Sequence, residues 1–170
     1  MTDSTENKDF VFRAMTDDGA FRIMTIRSTQ TVRDAAATQD AVATSLVQLG
    51  EAITSAVLVR ETMAPPNRVQ VQLRNKAGDQ IVGDAFPEGK TRGLVRVQDT
   101  TMGVRFDSGG HLQVSRSMNN KPPHEGVVEV GANESVGTAL ATYFKQSEQV
   151  ESMVGIASVI KDGEVVAAGG

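Results

Sequence analysis

Cysteine is absent from the 170-residue sequence, and this absence excludes several kinds of function. Without thiols the chain has no disulfide, no thiolate metal site and no thiol nucleophile. Tryptophan is absent too, and aromatic residues make up only 4% of the chain, so the core must consist mainly of Val, Ile, Leu, Met and Ala. Most of the seven methionines are therefore expected to fill the core.

Excess positive charge and long apolar runs are also missing. The formal net charge of −4 is unlike the basic surface of nucleic-acid-binding proteins, so we expect no nucleic acid partner. No apolar run approaches the ~20 residues of a membrane-spanning helix, so we expect no membrane association. The amino end is polar and acidic, unlike a secretory signal peptide, which makes cytoplasmic location the expectation. Residues 1–9 are expected to be a disordered tail and residues 10–170 a single domain.

Residues that could carry chemistry are few and isolated. His111 and His124 are the only histidines, and without cysteine they are too few for a zinc site made of protein ligands unless carboxylates contribute. The stretch "DSGGH", residues 107–111, is similar to the nucleophile loop of trypsin-like proteases, but the chain is too short for that double barrel. A glycine-rich turn between strands is the preferred interpretation. No phosphate-binding glycine motif and no carboxylate pair at a catalytic spacing is present, so we expect no cofactor, no metal and no enzymatic activity.

The amino-terminal half predicts a hairpin followed by two helices. The stretches Phe10–Met15 and Ala20–Arg27 alternate around an Asp-Gly turn, which predicts a β-hairpin. A short helix is predicted at Val32–Thr38 and a longer one at Ala41–Thr62, with Asp40 as its N-cap. The longer helix carries one apolar stripe, made of Val42, Leu46, Leu49, Ile53 and Val57.

Gly50 lies in the middle of the longer predicted helix. Glycine at such a position costs about 1 kcal/mol relative to alanine. Two interpretations stay open: a neighbouring backbone segment approaches closely at this point, or the glycine is merely tolerated.

From Arg68 onwards apolar residues recur with a period of two. In "VQVQL", Val69, Val71 and Leu73 share one face, which is typical of an antiparallel strand with its other face in water. Further strands are predicted at "QIVGDA", "GLVRVQ", "HLQVSR" and "GVVEV". A last helix is predicted from Glu134 to Gln149, followed by strands at "SMVGIASVI" and "EVVAAGG". The first of these is apolar on both faces and is expected to be buried.

The polar cluster "SEQ" lies at the carboxyl end of the last predicted helix. Tyr143 and Phe144 lie on the apolar face of that helix and are expected to anchor it to the core. Ser147, Glu148 and Gln149 are expected to hydrogen-bond neighbouring backbone as the chain enters the next strand. The cluster is therefore interpreted as architectural rather than catalytic.

These motifs, taken in order, resemble the core domain of the Hsp33 redox-regulated chaperones. "TYFKQSEQV", followed by "GIASVI" and "DGEVVAAGG", is similar to the family's aromatic pair, Ser-Glu-Gln and terminal Ala-Gly-Gly. "LGEAITSAVLV" resembles its central helix with a Gly-Glu pair, "VQVQLR" the next strand, "TRGLVRV" its Arg-Gly strand and "GVVEV" the strand before the last helix. The resemblance extends from Phe10 to Gly170. It assigns a structural role to Gly50, Glu51, Arg92, Gly93, Tyr143, Phe144, Ser147, Glu148 and Gln149.

The resemblance implies both a fold and a function. The fold is an α+β core with mostly antiparallel or mixed sheets packed against a central helix and a carboxyl-terminal amphipathic helix, often as a homodimer. The function is ATP-independent holding of unfolded client proteins. Holding requires exposed apolar surface and no chemistry, because it consists of binding the unfolded state of another protein.

The sequence also departs from the family pattern. The family's Gly-Asp-Gly-Pro turn is "NKAGDQ" here, and its His-Asp-Tyr-Pro segment is "TQDAVA". Its carboxyl-terminal zinc module contains four cysteines, so no zinc ligand or redox switch can be assigned to this chain. We expect either the core domain of a longer protein or a protein without the switch. Two functions stay open: a holdase core without its own redox switch, or a non-enzymatic binding or assembly module for one defined protein partner.

Overall fold

The computed structural model describes residues 8–63, 65–117 and 122–170. Within these ranges the chain forms nine strands and three α-helices. In chain order they are β1 Phe10–Met15, β2 Arg22–Arg27, α1 Thr29–Ala36, α2 Ala43–Glu61, β3 Arg68–Asn75, β4 Gln80–Ala85, β5 Thr91–Arg96, β6 Gly110–Ser117, β7 His124–Val130, α3 Val136–Tyr143, β8 Ala157–Lys161 and β9 Glu164–Gly169. The predicted hairpin is present as β1 and β2, which pair antiparallel.

The strands form two antiparallel sheets. Sheet A has the order β1-β2-β9-β8 and sheet B the order β5-β4-β3-β6-β7. The central helix α2 packs against strands of both sheets, so each sheet has an inner face toward α2 and an outer face. The predicted α+β class, with mostly antiparallel sheets on a central helix, is confirmed.

Helix α2 is buried around most of its circumference. The prediction of a single apolar stripe is therefore wrong: Ala52 and Ala56 are as completely buried as Leu49 and Ile53, because a sheet lies on either side of the helix. Its buried hydroxyl groups have partners, such as Thr54 Oγ1, which lies 2.7 Å from Ser28 Oγ. Small side chains are what let both sheets approach the same helix.

Helix starts differ from the predicted caps. Asp40 is not the N-cap of α2: the helix begins at Ala43, its N-cap position is Val42, two residues after Asp40, and no side-chain capping hydrogen bond is made there. At α1 the Asp9 carboxylate accepts hydrogen bonds from the backbone N–H groups of Gln30 and Thr31, at 3.0 and 2.6 Å. Asp9 thus binds the free donors of that helix. Residues 1–7 of the predicted tail lie outside the described residues.

The core between the sheets follows the period-two pattern. Val69, Val71 and Leu73 of β3 are fully buried, as predicted, and pack with Ile81 of β4 and Leu112 of β6. The methionines do not fill this core. None of the five in the described part of the chain is buried, and Met15, Met102 and Met153 are more than half exposed.

The carboxyl-terminal region departs most from prediction. The expected helix to Gln149 ends as an α-helix at Tyr143 and continues as one π-helical turn, Phe144–Glu148. Gln149 then reverses the chain in the left-handed conformation, with φ of 57°. Strand β8 begins only at Ala157 and is mostly exposed, so the prediction of a buried strand is wrong: β8 is the edge of sheet A and only one of its faces meets the core.

Two smaller features complete the fold. Asp107 and Ser108 lie in a turn and Gly109 has a φ of 75°, so the predicted glycine-rich turn before β6 is confirmed. No helix in the described ranges is long and apolar enough to cross a membrane.

Candidate functional site

Gly50 and Gly93 lie at close contacts of the central helix: Gly50 is where α2 meets β8, and Gly93 is where β5 meets α2. A Cβ atom on Gly50 would overlap the side chain of Ser158 on β8, with Ser158 Cβ only 2.7 Å away, and would lie 3.1 Å from Val32 Cγ1. A Cβ atom on Gly93 would lie 3.0 Å from Ile53 Cδ1. Close approach is therefore the correct interpretation of Gly50, although a serine side chain, rather than backbone, makes the contact.

Glu51, the neighbour of Gly50, is a half-buried carboxyl on α2. Burial removes water from the charged form and raises its pKa from 4.5 to about 7. No ion pair to its carboxylate is present among the described residues. Below about pH 7 the Glu51 carboxyl therefore keeps its proton in the folded protein.

Glu51→Gln is expected to change how stability depends on pH. Below the unfolded pKa of 4.5 both states of the wild-type protein are protonated, and the fold keeps its full stability. Between that pH and about 7 the unfolded state loses its proton while the folded state retains it, so stability falls by up to about 3 kcal/mol. The neutral glutamine is free of this loss, so the variant should gain on the wild type as pH rises through this window.

Urea unfolding across that pH window measures the difference. Glu164→Gln, at an exposed glutamate, controls for the substitution itself. Parallel stability curves for wild type and Glu51→Gln at all pH values would contradict the assignment.

Arg92 belongs to a charge cluster on the outer face of sheet B. Asp84 on β4 is only 1% exposed, and its carboxylate pairs with Arg68 through Nη2 at 2.5 Å and with Arg92 through Nε at 3.1 Å. Both guanidinium groups also lie over the Phe86 ring, at 4.7 and 5.2 Å from its centroid. Sequence reasoning did not identify Asp84, Arg68 or Phe86, although Asp84 and Arg92 are direct cross-strand partners.

Tyr143 and Glu148 form a second cluster with Arg116. The Tyr143 hydroxyl donates to Glu148 Oε1 at 2.7 Å, and Arg116 Nη1 lies 2.8 and 2.9 Å from the two carboxylate oxygens. Burial, followed by this hydrogen bond, raises the pKa of Tyr143 well above its usual value. Glu148 therefore binds side chains, where backbone partners were expected.

Ser147 lies in the π-helical turn that follows α3, and Gln149 reverses the chain directly after that turn. A Cβ atom on Gly126 of β7 would lie 2.7 Å from Ser147 Oγ, so this hydroxyl packs directly on the strand. The π-helical turn is closed by a hydrogen bond from Val150 N–H to Phe144 carbonyl oxygen at 3.1 Å. Phe144 itself is half-buried, with its ring 5.7 Å from that of Tyr143.

The nine motif residues do not converge on one site. Gly50, Glu51 and Gly93 lie around α2, Arg92 points outward from sheet B, and residues 143–149 end α3. Among the described residues no group of three or more His, Asp or Glu side chains is placed to hold a metal ion. One cavity of about 310 Å³ lies beside the β3–β4 turn, where Asp79 already accepts bonds from Asn75 and from the Gln98 N–H.

Exposed apolar side chains are concentrated on sheet A. We call this surface the apolar face. Its large members, 45–70% exposed, are Phe10, Phe12, Ile23, Val159 and Val166 in the strands and Phe21 directly before β2, whereas Met15, 62% exposed, lies on the opposite side of the hairpin. The strand register places Phe10, Phe12 and Ile23 on one side of the hairpin, opposite the side of buried Ile26. A side-chain period of two places Phe10 and Phe12 on the same side of β1, but it does not show that this side faces outward.

The hairpin that carries this face extends beyond the rest of sheet A. Strand β2 meets β9 only near its end, at the Arg27–Gly169 pair, with backbone hydrogen bonds between Ile26 and Gly170 and from Ser28 to Ala168 on either side. An ion pair between Arg13 and Glu61 joins the distal part of the hairpin to α2. The backbone of β1 lies at the edge of the sheet, so its outward N–H and C=O groups are available to another extended chain.

Comparison with known proteins gives consistent matches. The Hsp33 protein family profile matches residues 9–170. The 33 kDa chaperonin of Geobacter sulfurreducens is 31% identical over all of this chain and 60% of its own length, and that of Shouchella clausii is 29% identical over 96% and 59%. The crystal structure of the 33 kDa chaperonin from Thermotoga maritima has a TM-score of 0.80 at 23% identity, covering 94% of this chain and 58% of that one. The chain thus spans about 60% of the length of these relatives.

Proposed function

Because the chain belongs to the Hsp33 family, we propose that it is an ATP-independent holdase that binds unfolded or aggregation-prone proteins through the apolar face. The observation that carries this proposal is the exposure of Phe12, Phe21 and Ile23, at 57, 70 and 57%. Contiguous exposed apolar surface marks a site of interaction with another protein. We further propose that residues 10–170 act as a single domain, in the cytoplasm and as a homodimer.

The geometry of the hairpin supports binding of extended polypeptide. Apolar side chains of an unfolded client can pack on the phenylalanines, and client backbone can pair with the free edge of β1. Neither contact requires a nucleotide, a metal or a reacting group. The chain has no cysteine, so we propose that holding by this chain does not depend on a thiol switch of its own.

Phe12→Ser combined with Ile23→Ser is expected to weaken holding at least several-fold. The measurement is light scattering of a heat-unfolded client at a series of chaperone concentrations. Both positions are more than half exposed, so the melting temperature should change little. The matched control is Met102→Ser combined with Val150→Ser, which replaces side chains of similar exposure, 55 and 53%, outside both sheets.

The outcomes separate the two candidate functions. A hairpin variant that suppresses aggregation as well as the wild type would contradict the apolar face as the binding site. Wild-type protein that suppresses aggregation of no unfolded client would favour the binding or assembly module instead. A peroxide dose that oxidises thiols and spares methionine should leave holding unchanged, because there is no cysteine to oxidise.

A further inference from the structure

The side of the hairpin opposite the apolar face mixes apolar and basic residues. The register of β1 and β2 places six residues on this side: Val11, Arg13, Met15, Arg22, Met24 and Ile26. We call it the inner side of the hairpin. Ile26 is 8% exposed, Met24 is half-buried and Met15 is 62% exposed, so burial of the inner side decreases from the base of the hairpin toward its turn.

Polar contacts fix the base of the hairpin to the rest of the chain. The Asp9 carboxylate binds N–H groups at the start of α1, and β2 meets β9 around the Arg27–Gly169 pair. Because Phe10 is the cross-strand partner of Arg27, both contacts lie at the same end of the hairpin. The strands beyond this end can therefore turn about it as about a hinge.

Arg13 attaches the hairpin at a second level, beyond the base. Its guanidinium pairs with the carboxylate of Glu61, the last residue of α2. Glu61 also accepts a hydrogen bond from Arg60 Nη1 at 3.0 Å, and Arg60 Nη2 donates to the Pro65 carbonyl oxygen at 2.7 Å. The side chain of Glu61 is 15% exposed and that of Arg13 is 54% exposed. The pair thus joins an exposed side chain of the hairpin to a carboxylate that is held on the helix.

We propose that the Arg13–Glu61 ion pair is an autoinhibitory contact that limits the access of clients to the inner side of the hairpin. When the pair breaks, the strands turn about the base and Val11 and Met24 become more exposed. An unfolded client then packs on both sides of the hairpin instead of on the apolar face alone. The inference rests on the proposed function, because it concerns the regulation of the same holding site.

The strength of the contact sets the size of the effect. A partly exposed ion pair changes an equilibrium by up to about fivefold, so both arrangements of the hairpin are populated. Salt weakens such a pair by screening its charges. The unbranched, polarizable side chain of Met24 is suited to contacts with clients of different shape. Holding should therefore increase with salt concentration in the wild type more than in a variant without the pair.

The distance between two spin labels measures the arrangement of the hairpin without a client. Because the chain has no cysteine, Asp17→Cys in the hairpin turn and Leu94→Cys on β5 can be labelled at those positions alone. Arg13→Gln should increase the population of a second, displaced distance about two- to fivefold, and salt should do the same with Arg13 in place. Arg13→Lys keeps the cation and should retain the original distribution.

Holding of a heat-unfolded client is measured on variants of the pair. Arg13→Gln and Glu61→Gln should each suppress aggregation at about two- to fivefold lower concentration than the wild type. The two changes together should add nothing, because either one already breaks the pair. Arg22→Gln is the matched control: it removes the same charge from the same side of the hairpin, and no ion pair of Arg22 is found among the described residues. It should change neither the distances nor holding.

Met24→Ser identifies the surface that the contact covers. In the Arg13→Gln background it should remove the gain in holding, because the client then loses the inner side. In the presence of Arg13 it should change holding little, because the inner side is already covered. Melting temperatures of all variants verify that they fold. Equal effects of Met24→Ser in the two backgrounds would mean that the gain does not come from the inner side.

Other results would also overturn the autoinhibitory contact. They are unchanged label distances in Arg13→Gln, unchanged holding despite new distances, or an effect of Arg22→Gln equal to that of Arg13→Gln. Failure of the proposed apolar face is a different result. Phe12→Ser with Ile23→Ser would then hold as well as the wild type, while Arg13→Gln still holds more. Conversely, loss of holding in that double variant with no gain in Arg13→Gln leaves the apolar face standing and refutes the contact.

Discussion

Tyr143→Ala is expected to lower the free energy of unfolding by about 3–5 kcal/mol, the usual cost of truncating a fully buried aromatic side chain. Tyr143 is 0% exposed and packs against β7 at Gly126. Its hydroxyl also holds Glu148 in place at 2.7 Å, so truncation removes both the ring and this hydrogen bond. The loss is a large share of the ~5–15 kcal/mol by which a domain is stable.

Two further variants separate the contributions at this position. Phe144→Ala should cost clearly less, because the Phe144 ring is only half-buried. Tyr143→Phe keeps the ring and removes the hydroxyl, and should cost roughly 1.5–3 kcal/mol, as expected for a hydrogen bond to a charged acceptor. Urea unfolding of all three variants provides the ranking. If Phe144→Ala proved the most damaging of the three, the ring of Tyr143 would not be the main anchor of α3.

Glu148→Gln tests whether the cluster is architectural. The change leaves the shape of the side chain and weakens its contact with Arg116, so a modest loss of stability is expected. Client holding by the variant should decrease only as far as its lower stability reduces the amount of folded protein. A variant that melts like the wild type but no longer holds clients would instead make Glu148 a binding group.

The sequence predicted where the strands lie better than it predicted which face of each strand packs against the core. Alternation in "VQVQL" predicted the buried side of β3, because a side-chain period of two leaves only two possible faces. The same alternation in "FVFRAM" could not show which face of the hairpin meets the core. That depends on where α2 and β9 lie, which is a property of the tertiary structure rather than of the local pattern.

Charged contacts were missed for a related reason. Arg68 and Asp84 are separated by 16 positions in the chain and meet only because β3 and β4 pair in one register. Glu148 and Arg116 are separated by 32 positions and meet only because the π-helical turn redirects the end of α3. In contrast, the Gly50 position was visible in the sequence, because glycine inside a helix is unfavourable unless something requires it.

Gly50→Leu is expected to destabilise the protein strongly, although leucine is the better helix former. At an exposed helical site the change would be favourable by nearly 1 kcal/mol. At Gly50 any side chain enters the space of Ser158, and overpacking a tight core costs about 1–3 kcal/mol, occasionally more. Gly155→Leu is the matched control, since a Cβ atom there meets nothing within 4 Å. Thermal and urea unfolding should show a large loss for the first variant and little change for the second.

Substitution of Ser158, the residue that lies against Gly50, provides a sharper form of this test. Ser158 Oγ is buried without a hydrogen-bond partner among the described residues, so Ser158→Gly removes the obstructing atoms without breaking a hydrogen bond. Gly50→Ala alone should destabilise the protein, because its Cβ would lie 2.7 Å from Ser158 Cβ. In the Ser158→Gly background the two shortest contacts are gone and Val32 Cγ1 lies at 3.1 Å, so the cost of the same change should shrink toward zero or reverse with the helix propensity of alanine. Equal costs of Gly50→Ala in both backgrounds would mean that the contact between α2 and β8 is not what requires glycine at this position.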